Sequence, residues 1–115
     1  MRIFASVKSR VFPSEVCAEL VPMVNEAVCV MYGVTEESLR SRDTSKEVSE
    51  ARWFAWTLLH DGFGVPNGML AAEYGRTRRA VCHAVSVVRS RVARRKDYAG
   101  AYRELSRRVC ECSGG

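Results

Sequence analysis

Residues 70–85 read LAAEYGRTRRAVCHAV, and this stretch decides the fold because a glycine turn divides two apolar segments. The small Ala71 stands four residues before Gly75, and the apolar Val81 follows six residues after it. Glycine tolerates the positive φ of a sharp turn, and a small side chain lets two helices approach closely. The spacing therefore predicts a helix-turn-helix in which the second helix presents its N-terminal residues outward.

Three arginines, Arg76, Arg78 and Arg79, crowd the turn and the start of the second helix. Like charges within one turn repel each other, so this placement weakens the isolated helix unless an anion neutralises it. The unpaired backbone N–H groups and the dipole of a helix N-terminus favour the same kind of ligand. The stretch therefore indicates an anionic partner.

Upstream of the turn, apolar spacing and capping residues predict three helices. The first begins at a Ser14 cap and ends at Gly33, and the second is short and begins at a Thr35 cap. The third has a capping box formed by Thr44 and Glu47. Its apolar residues cover most of the helix circumference, which predicts a central helix packed on more than one side.

Three further helices are predicted around and after the turn. Asn67 is a possible cap for the fourth helix, Thr77 caps the fifth and Asp97 caps the sixth. Four valines lie at helical spacing on the fifth helix: Val81, Val85, Val88 and Val92. Valine favours strands, but the charged residues between these valines do not alternate as they would in a strand. The sequence therefore predicts an all-α fold, a compact bundle of about six helices.

Length and composition favour one ordinary globular domain spanning residues 1–115. With 115 residues, of which 47% are hydrophobic and 27% charged, the chain can build one hydrophobic core. No apolar run approaches the roughly 20 residues that span a bilayer, and the N-terminus lacks the apolar stretch of a secretory signal. We therefore expect a cytoplasmic protein that does not enter a membrane.

Cysteine and histidine placement argues against metal and catalytic chemistry. The five cysteines are an odd number, and nothing marks the chain as secreted, so we expect reduced thiols. Cys110 and Cys112 are close together, but no second pair stands at zinc spacing. His60 and His83 are far apart, and no nucleophile, base and orienting group occur together. The sequence predicts no metal, no cofactor and no enzyme.

Positive charge is concentrated in one third of the chain. The net charge is +5; residues 76–108 contain 11 basic and 2 acidic side chains, whereas residues 1–75 contain 7 basic and 10 acidic ones. This asymmetry is typical of a protein that binds a phosphate backbone. A solvated helix face is the alternative that charge alone leaves open.

The fifth predicted helix, about residues 77–95, presents polar side chains on the face opposite its valines. Thr77 and Arg78 lie at its N-terminal end, and Arg79, His83 and Ser86 follow along the face. Arginine makes bidentate contacts to guanine, and serine or histidine can contact base edges or phosphates. This pattern predicts double-stranded DNA as the partner, with the helix in the major groove.

Several segments between residues 24 and 92, about 60% of the chain, carry a family resemblance. They are Tyr32-Gly33-Val34 with Leu39, Arg40-Ser41-Arg42, the run EARWFAWTL from Glu50 to Leu58, Leu70, Tyr74-Gly75-Arg76, and Val81-Cys82-His83-Ala84. In these segments the chain resembles the C-terminal DNA-binding domain of the bacterial replication initiator DnaA, which belongs to a helix-turn-helix group shared with the Trp repressor. The resemblance implies a DNA-reading domain with the same helical core.

The resemblance also implies a set of DNA contacts. Arg52, on the long central helix, would reach the minor groove. The basic loop before that helix would supply backbone contacts from Arg40, Arg42 and Lys46. The major-groove set would be Arg76, Thr77, Arg78, Arg79 and His83, to which the helix face adds Ser86.

Two departures from the family bear on function. The family signature has Asp-His-Thr-Thr where this chain has Thr77, Arg78, Arg79 and Ala80, so we do not expect the initiator's own target sequence to be bound well. The chain also has no glycine-rich nucleotide-binding loop and no room for an ATPase domain. We therefore expect a sequence-preferring transcription or replication-associated regulator that resembles the DNA-reading module alone.

Other functional classes stay open at this point. The basic face could meet an acidic protein partner, with Trp53 or a patch formed by Val11 and Phe12 in the contact. A basic helix lying on anionic membrane is less favoured, because the valine stripe has no Trp or Phe. A homodimer acting on a palindromic site is also possible.

Overall fold

The computed structural model describes residues 14–114 and the side chains of residues 15–111. This part of the chain forms six α-helices and no strand: α1 (Ser14–Tyr32), α2 (Glu36–Arg40), α3 (Lys46–Thr57), α4 (Asn67–Tyr74), α5 (Arg78–Arg94) and α6 (Lys96–Gly114). A π-helical turn, Leu58–Gly62, continues α3. The prediction of an all-α bundle of about six helices is confirmed.

The long helix α3 lies at the centre of the bundle. It packs against α1, α2 and α5, and its residues Ala51, Phe54 and Ala55 are completely buried or nearly so. This placement confirms the prediction drawn from its apolar circumference, because a helix that is apolar on most sides must be covered on most sides. The valine-rich segment is helical as predicted, and Val81 and Val85 are buried against the same core.

The C-terminal helix α6 is fixed to the core by a polar network around Glu50. The carboxylate of Glu50 accepts hydrogen bonds from the hydroxyls of Tyr32 and Tyr98, each at 3.1 Å. Arg91 of α5 in turn donates to the Tyr98 hydroxyl at 3.0 Å. Three helices and α6 thus share one chain of partly buried hydrogen bonds.

The glycine turn between α4 and α5 has the conformation that the sequence predicts. Gly75 has φ 66° and ψ 37°, a left-handed conformation. The N–H of Arg76 donates to the carbonyl of Ala71 at 2.8 Å, and the N–H of Gly75 donates to that of Ala72 at 3.4 Å. These two bonds form a Schellman motif, which ends α4 and directs the chain into α5.

Two of the predicted helix caps are confirmed. The Thr35 side chain accepts a hydrogen bond from the N–H of Ser38, and the Ser38 hydroxyl accepts one from the N–H of Thr35, which completes a capping box. Thr77 accepts from the N–H of Ala80 at 3.0 Å at the start of α5. Each cap satisfies a backbone donor that the helix itself cannot pair.

Three other predicted caps are wrong. Helix α3 begins at Lys46 after Ser45, so Thr44 and Glu47 form no capping box; the Asp43 carboxylate instead accepts from the N–H of Ser45 at 2.8 Å. Asn67 is already the first residue of α4, and its side chain donates to the sulfur of Cys82 at 3.1 Å.

The predicted cap Asp97 also lies inside its helix, because α6 begins at Lys96. Its carboxylate accepts from the guanidinium of Arg95 at 2.7 Å, so a local ion pair with the residue before the helix takes the place of the cap.

Several sequence predictions concern residues outside this range. The Val11 and Phe12 patch and the side chains of Ser14 and Cys112 lie outside the described part of the molecule. Among the helices that are described, none combines the length and the apolar character needed to cross a bilayer.

Candidate functional site

An open cleft of about 280 Å³ lies between the start of α5 and the loop that precedes α3. We call it the arginine cleft, and its lining residues are Arg42, Thr44, Ser49, Arg52, Trp53, Trp56, Arg76, Ala80 and His83. Four residues of the predicted DNA-contact set therefore meet here, although they come from three different segments of the sequence.

Arg52 lies behind this cleft and is only 3% exposed. Its Nε donates to the carbonyl of Leu39 at 2.8 Å, and its Nη2 donates to the carbonyls of Ser38, Ser41 and Asp43 at 3.0–3.1 Å. One guanidinium group thus satisfies four backbone acceptors where α2 ends and the loop begins. Buried carbonyls need such partners, which explains why a cation is placed in the interior.

The structure corrects what was expected of Arg52. A side chain that reaches a DNA groove must be exposed, and Arg52 would have to break four hydrogen bonds to become so. The Arg52 side chain does not extend over the protein surface either. Arg52 is a positioning residue, because it fixes the loop that carries Arg42.

Arg76 approaches the same loop from the other side. Its Nη2 donates to the carbonyl of Ser41, which also accepts from Arg52. Burial lowers the pKa of Arg52, and the positive charge of Arg76 lowers it further, while the carboxylate of Asp43 raises it by less. Two guanidinium groups are therefore held close together beside the cleft.

The start of α5 carries the exposed members of the predicted set. Thr77, Arg78 and Arg79 are exposed in and before its first turn. The Thr77 oxygen accepts the capping hydrogen bond, and its O–H group can still donate to a ligand.

Farther along α5, His83 and Ser86 are also exposed. The His83 ring stands edge-on to the indole of Trp53, with ring centroids 6.0 Å apart and planes at 86°. Trp53 is half-buried in this contact, so a cleft-lining aromatic ring and an exposed imidazole are adjacent on this face.

Arg40 and Lys46 do not line the cleft. Arg40 forms ion pairs with Glu36 at 3.6 Å and Glu73 at 3.2 Å, and its guanidinium lies 5.3 Å from the ring centroid of Tyr74. It therefore connects α2 to α4 and is partly engaged within the protein. Lys46 is exposed at the first residue of α3.

Ion pairing divides the basic third of the chain into two parts. The pairs toward its far end are Arg89–Asp61, Arg95–Asp97, Arg107–Glu104, Arg107–Glu111 and Arg108–Glu104. By contrast, Arg42, Arg76, Arg78 and Arg79 have no ion pair with any described residue. All 13 acidic side chains lie between Glu15 and Glu111, so the rest of the chain adds no carboxylate side chain. Arg91, Arg94, Lys96 and Arg103 also lack an ion pair with a described residue, but they are interspersed with paired arginines, whereas no basic residue of the cleft or of the first turn of α5 is paired.

Sequence reasoning missed part of this cleft. Ser49 and Trp56 lie on the same face of α3 as Arg52 and Trp53, at spacings of three, one and three residues, and this helical spacing could have identified them. Thr44 comes from the loop and gives no such signal. The indole nitrogen of Trp56 is buried without a hydrogen-bond partner among the described residues.

Metal-binding side chains do not cluster in the described region, where no group of three or more His, Cys, Asp or Glu residues could hold an ion. The Cys17 thiol is buried, and burial raises its pKa, which makes it a poor nucleophile. No protein-family model matches the chain, and no curated protein matches it significantly.

Proposed function

We propose that the protein binds double-stranded DNA through α5 and the arginine cleft. The observation that carries this proposal is the set of four arginines, Arg42, Arg76, Arg78 and Arg79, that lack carboxylate partners and lie at one end of the bundle. A polyanion neutralises such a surface and releases counterions, which makes the association favourable.

The shape of α5 suits a DNA groove. It has 17 residues, about 25 Å in length, and buries its valine face while Arg79, His83 and Ser86 face solvent. The major groove admits one α-helix, and the N-terminal residues of a recognition helix are those that contact base edges. In this proposal α4 and α5 form the helix-turn-helix, and Arg78 and Arg79 lie closest to the bases.

The likeness to the DnaA DNA-binding domain supports the same arrangement with a different target. Thr77, Arg78, Arg79 and Ala80 replace the family signature at the start of the recognition helix. Arginine favours guanine through its O6 and N7 atoms, so the preferred site should contain guanine under the start of α5. We propose a sequence-preferring regulator of transcription or replication.

A selection experiment tests the proposal. A random-sequence duplex pool is bound to the protein at two salt concentrations, and the bound fraction is sequenced. We expect salt-sensitive binding and an enriched motif; neutralising roughly five phosphates gives a slope of about −4 to −5 in log affinity against log salt. Absence of binding at low salt would contradict the proposal and direct attention to an acidic protein partner for the same face.

A further inference from the structure

We propose that the arginine cleft is a binding site for one phosphate group, held by Arg42 and Arg76 with Arg52 behind them. In a DNA complex the occupant is a backbone phosphate, and that part of the inference rests on the proposed function. The cleft residues would contact the phosphate group itself and not the rest of a DNA strand, so free inorganic phosphate should bind there as well.

Positive charges are held close together beside the cleft. Arg52 and Arg76 donate to the same carbonyl of Ser41, and Arg52 is almost completely buried. Neither forms an ion pair with a described residue, and the nearby Asp43 carboxylate is occupied with the N–H of Ser45. The Asp43 carboxylate attracts Arg52 by less than Arg76 repels it, so the two neighbouring cations cost free energy, and an anion in the cleft would offset that cost.

The hydrogen-bonding side chains that line the cleft include donors without protein partners. No Asp or Glu is among its lining residues, whereas Arg42, Thr44 and Ser49 have side-chain donors that bond to no described residue. Arginine and indole nitrogens act only as hydrogen-bond donors, and the ionised oxygens of a phosphate act only as acceptors. The lining is therefore complementary to an anion and not to a cation.

The indole of Trp56 forms part of the cleft wall. This side chain is 2% exposed, it lines the cleft, and its Nε1 is buried without an acceptor among the described residues. A buried donor without a partner is uncommon in folded proteins and calls for a bound group or water. This observation is independent of the arginines: the wall of the cleft contains a buried donor that has no acceptor among the described residues.

The size of the cleft permits this ligand. A volume of about 280 Å³ holds a phosphate group with several waters, since one water takes about 30 Å³. The cleft opens to solvent beside Ala80 in the first turn of α5, so a phosphate that belongs to a longer strand can enter. The helix N-terminus there adds a further favourable dipole.

A titration with inorganic phosphate tests the site. Trp53 lines the cleft, so tryptophan fluorescence is followed as phosphate replaces chloride at constant ionic strength. We expect a saturable change in the wild type and a loss of at least tenfold in apparent affinity in Arg42→Gln. Arg107→Gln, on α6 and outside the cleft lining, should bind phosphate with the affinity of the wild type. Arg42 makes no hydrogen bond to a described residue, so this variant should fold normally, and circular dichroism checks that it does.

The outcomes separate the two proposals. If phosphate gives no saturable change, or if Arg42→Gln binds it as well as the wild type, the cleft is not a phosphate site, even if duplex DNA still binds. If phosphate saturates the cleft but duplex DNA does not bind, the cleft is a site for free phosphate and the proposed function is wrong. If both bind, Arg42→Gln should reduce the salt slope for duplex DNA by about 1.

Discussion

At the scale of single residues, one guanidinium group holds the loop that borders the arginine cleft. Arg52 reaches carbonyl partners that are 9 to 14 positions away in sequence. No local pattern specifies such partners, because they meet only after α2 and α3 have packed together. This is why the sequence predicted the position of Arg52 on the central helix but not its burial.

Replacing Arg52 should destabilise the fold. Arg52→Ala removes four hydrogen bonds to backbone carbonyls, although those of Ser38 and Ser41 keep other donors, and we expect a loss of about 2–4 kcal/mol in the free energy of unfolding. Arg52→Lys should recover part of this loss, because an ammonium group retains three donors. Urea denaturation followed by circular dichroism measures both variants.

The exposed Arg79 provides the control for this experiment. Arg79→Ala should change the unfolding free energy by no more than about 0.5 kcal/mol, as expected for a surface substitution. If Arg52→Ala were as stable as Arg79→Ala, Arg52 would have no role in positioning the loop.

At the scale of elements, the turn between α4 and α5 depends on local chemistry that the sequence displays directly. Gly75 and the Thr77 cap bond to atoms within five positions along the chain, so their roles could be predicted. Thr44 and Glu47, by contrast, were wrongly predicted to form a capping box. The loop before α3 is shaped by Arg52 and by the Asp43 carboxylate, and Ser45 becomes the residue that precedes the helix.

Two glycine substitutions test this account of the turn. Gly75→Ala should destabilise the protein by about 1–2 kcal/mol, because φ is positive there, although a Cβ would meet no atom within 4 Å. Gly68→Ala, inside α4 and equally open, should instead stabilise it by about 0.4–1 kcal/mol. Thermal unfolding compares them, and a shift in the same direction for both would contradict the assigned turn geometry.

The ion pair between α5 and the π-helical turn should make stability depend on pH. Arg89 donates to Asp61 at 2.8 Å, and this hydrogen bond lowers the pKa of Asp61 in the folded protein. The unfolded-state pKa is about 3.9, so the contribution is complete above that value and is lost as the pH falls through the folded-state pKa. Unfolding at pH 6 and pH 3 should show that Asp61→Asn costs less stability at the lower pH. An equal cost at both would contradict the pairing.

At the scale of the whole molecule, the fold decides which charged side chains form ion pairs, whereas the sequence shows only how many of them there are. The sequence places 11 basic residues between positions 76 and 108. Packing then pairs Arg89 with Asp61 across 28 positions, while Arg76 is brought to the loop that carries Arg42. The basic third was visible in the sequence, but its uncompensated part was not, because the pairing depends on which helices become neighbours.

DNA binding is proposed for the arginines of the cleft and of the start of α5, and not for the basic surface in general. The most direct test is fluorescence anisotropy of a labelled duplex carrying the enriched motif, with the wild type and the Arg78→Ala, Arg79→Ala and Arg107→Ala variants. We expect Arg78→Ala and Arg79→Ala each to weaken binding by about 1–3 kcal/mol, more on the motif than on a scrambled duplex. Arg107→Ala, whose guanidinium is paired with Glu104 and Glu111 on α6, should bind like the wild type. Equal losses in all three variants, or no loss in any of them, would contradict the account.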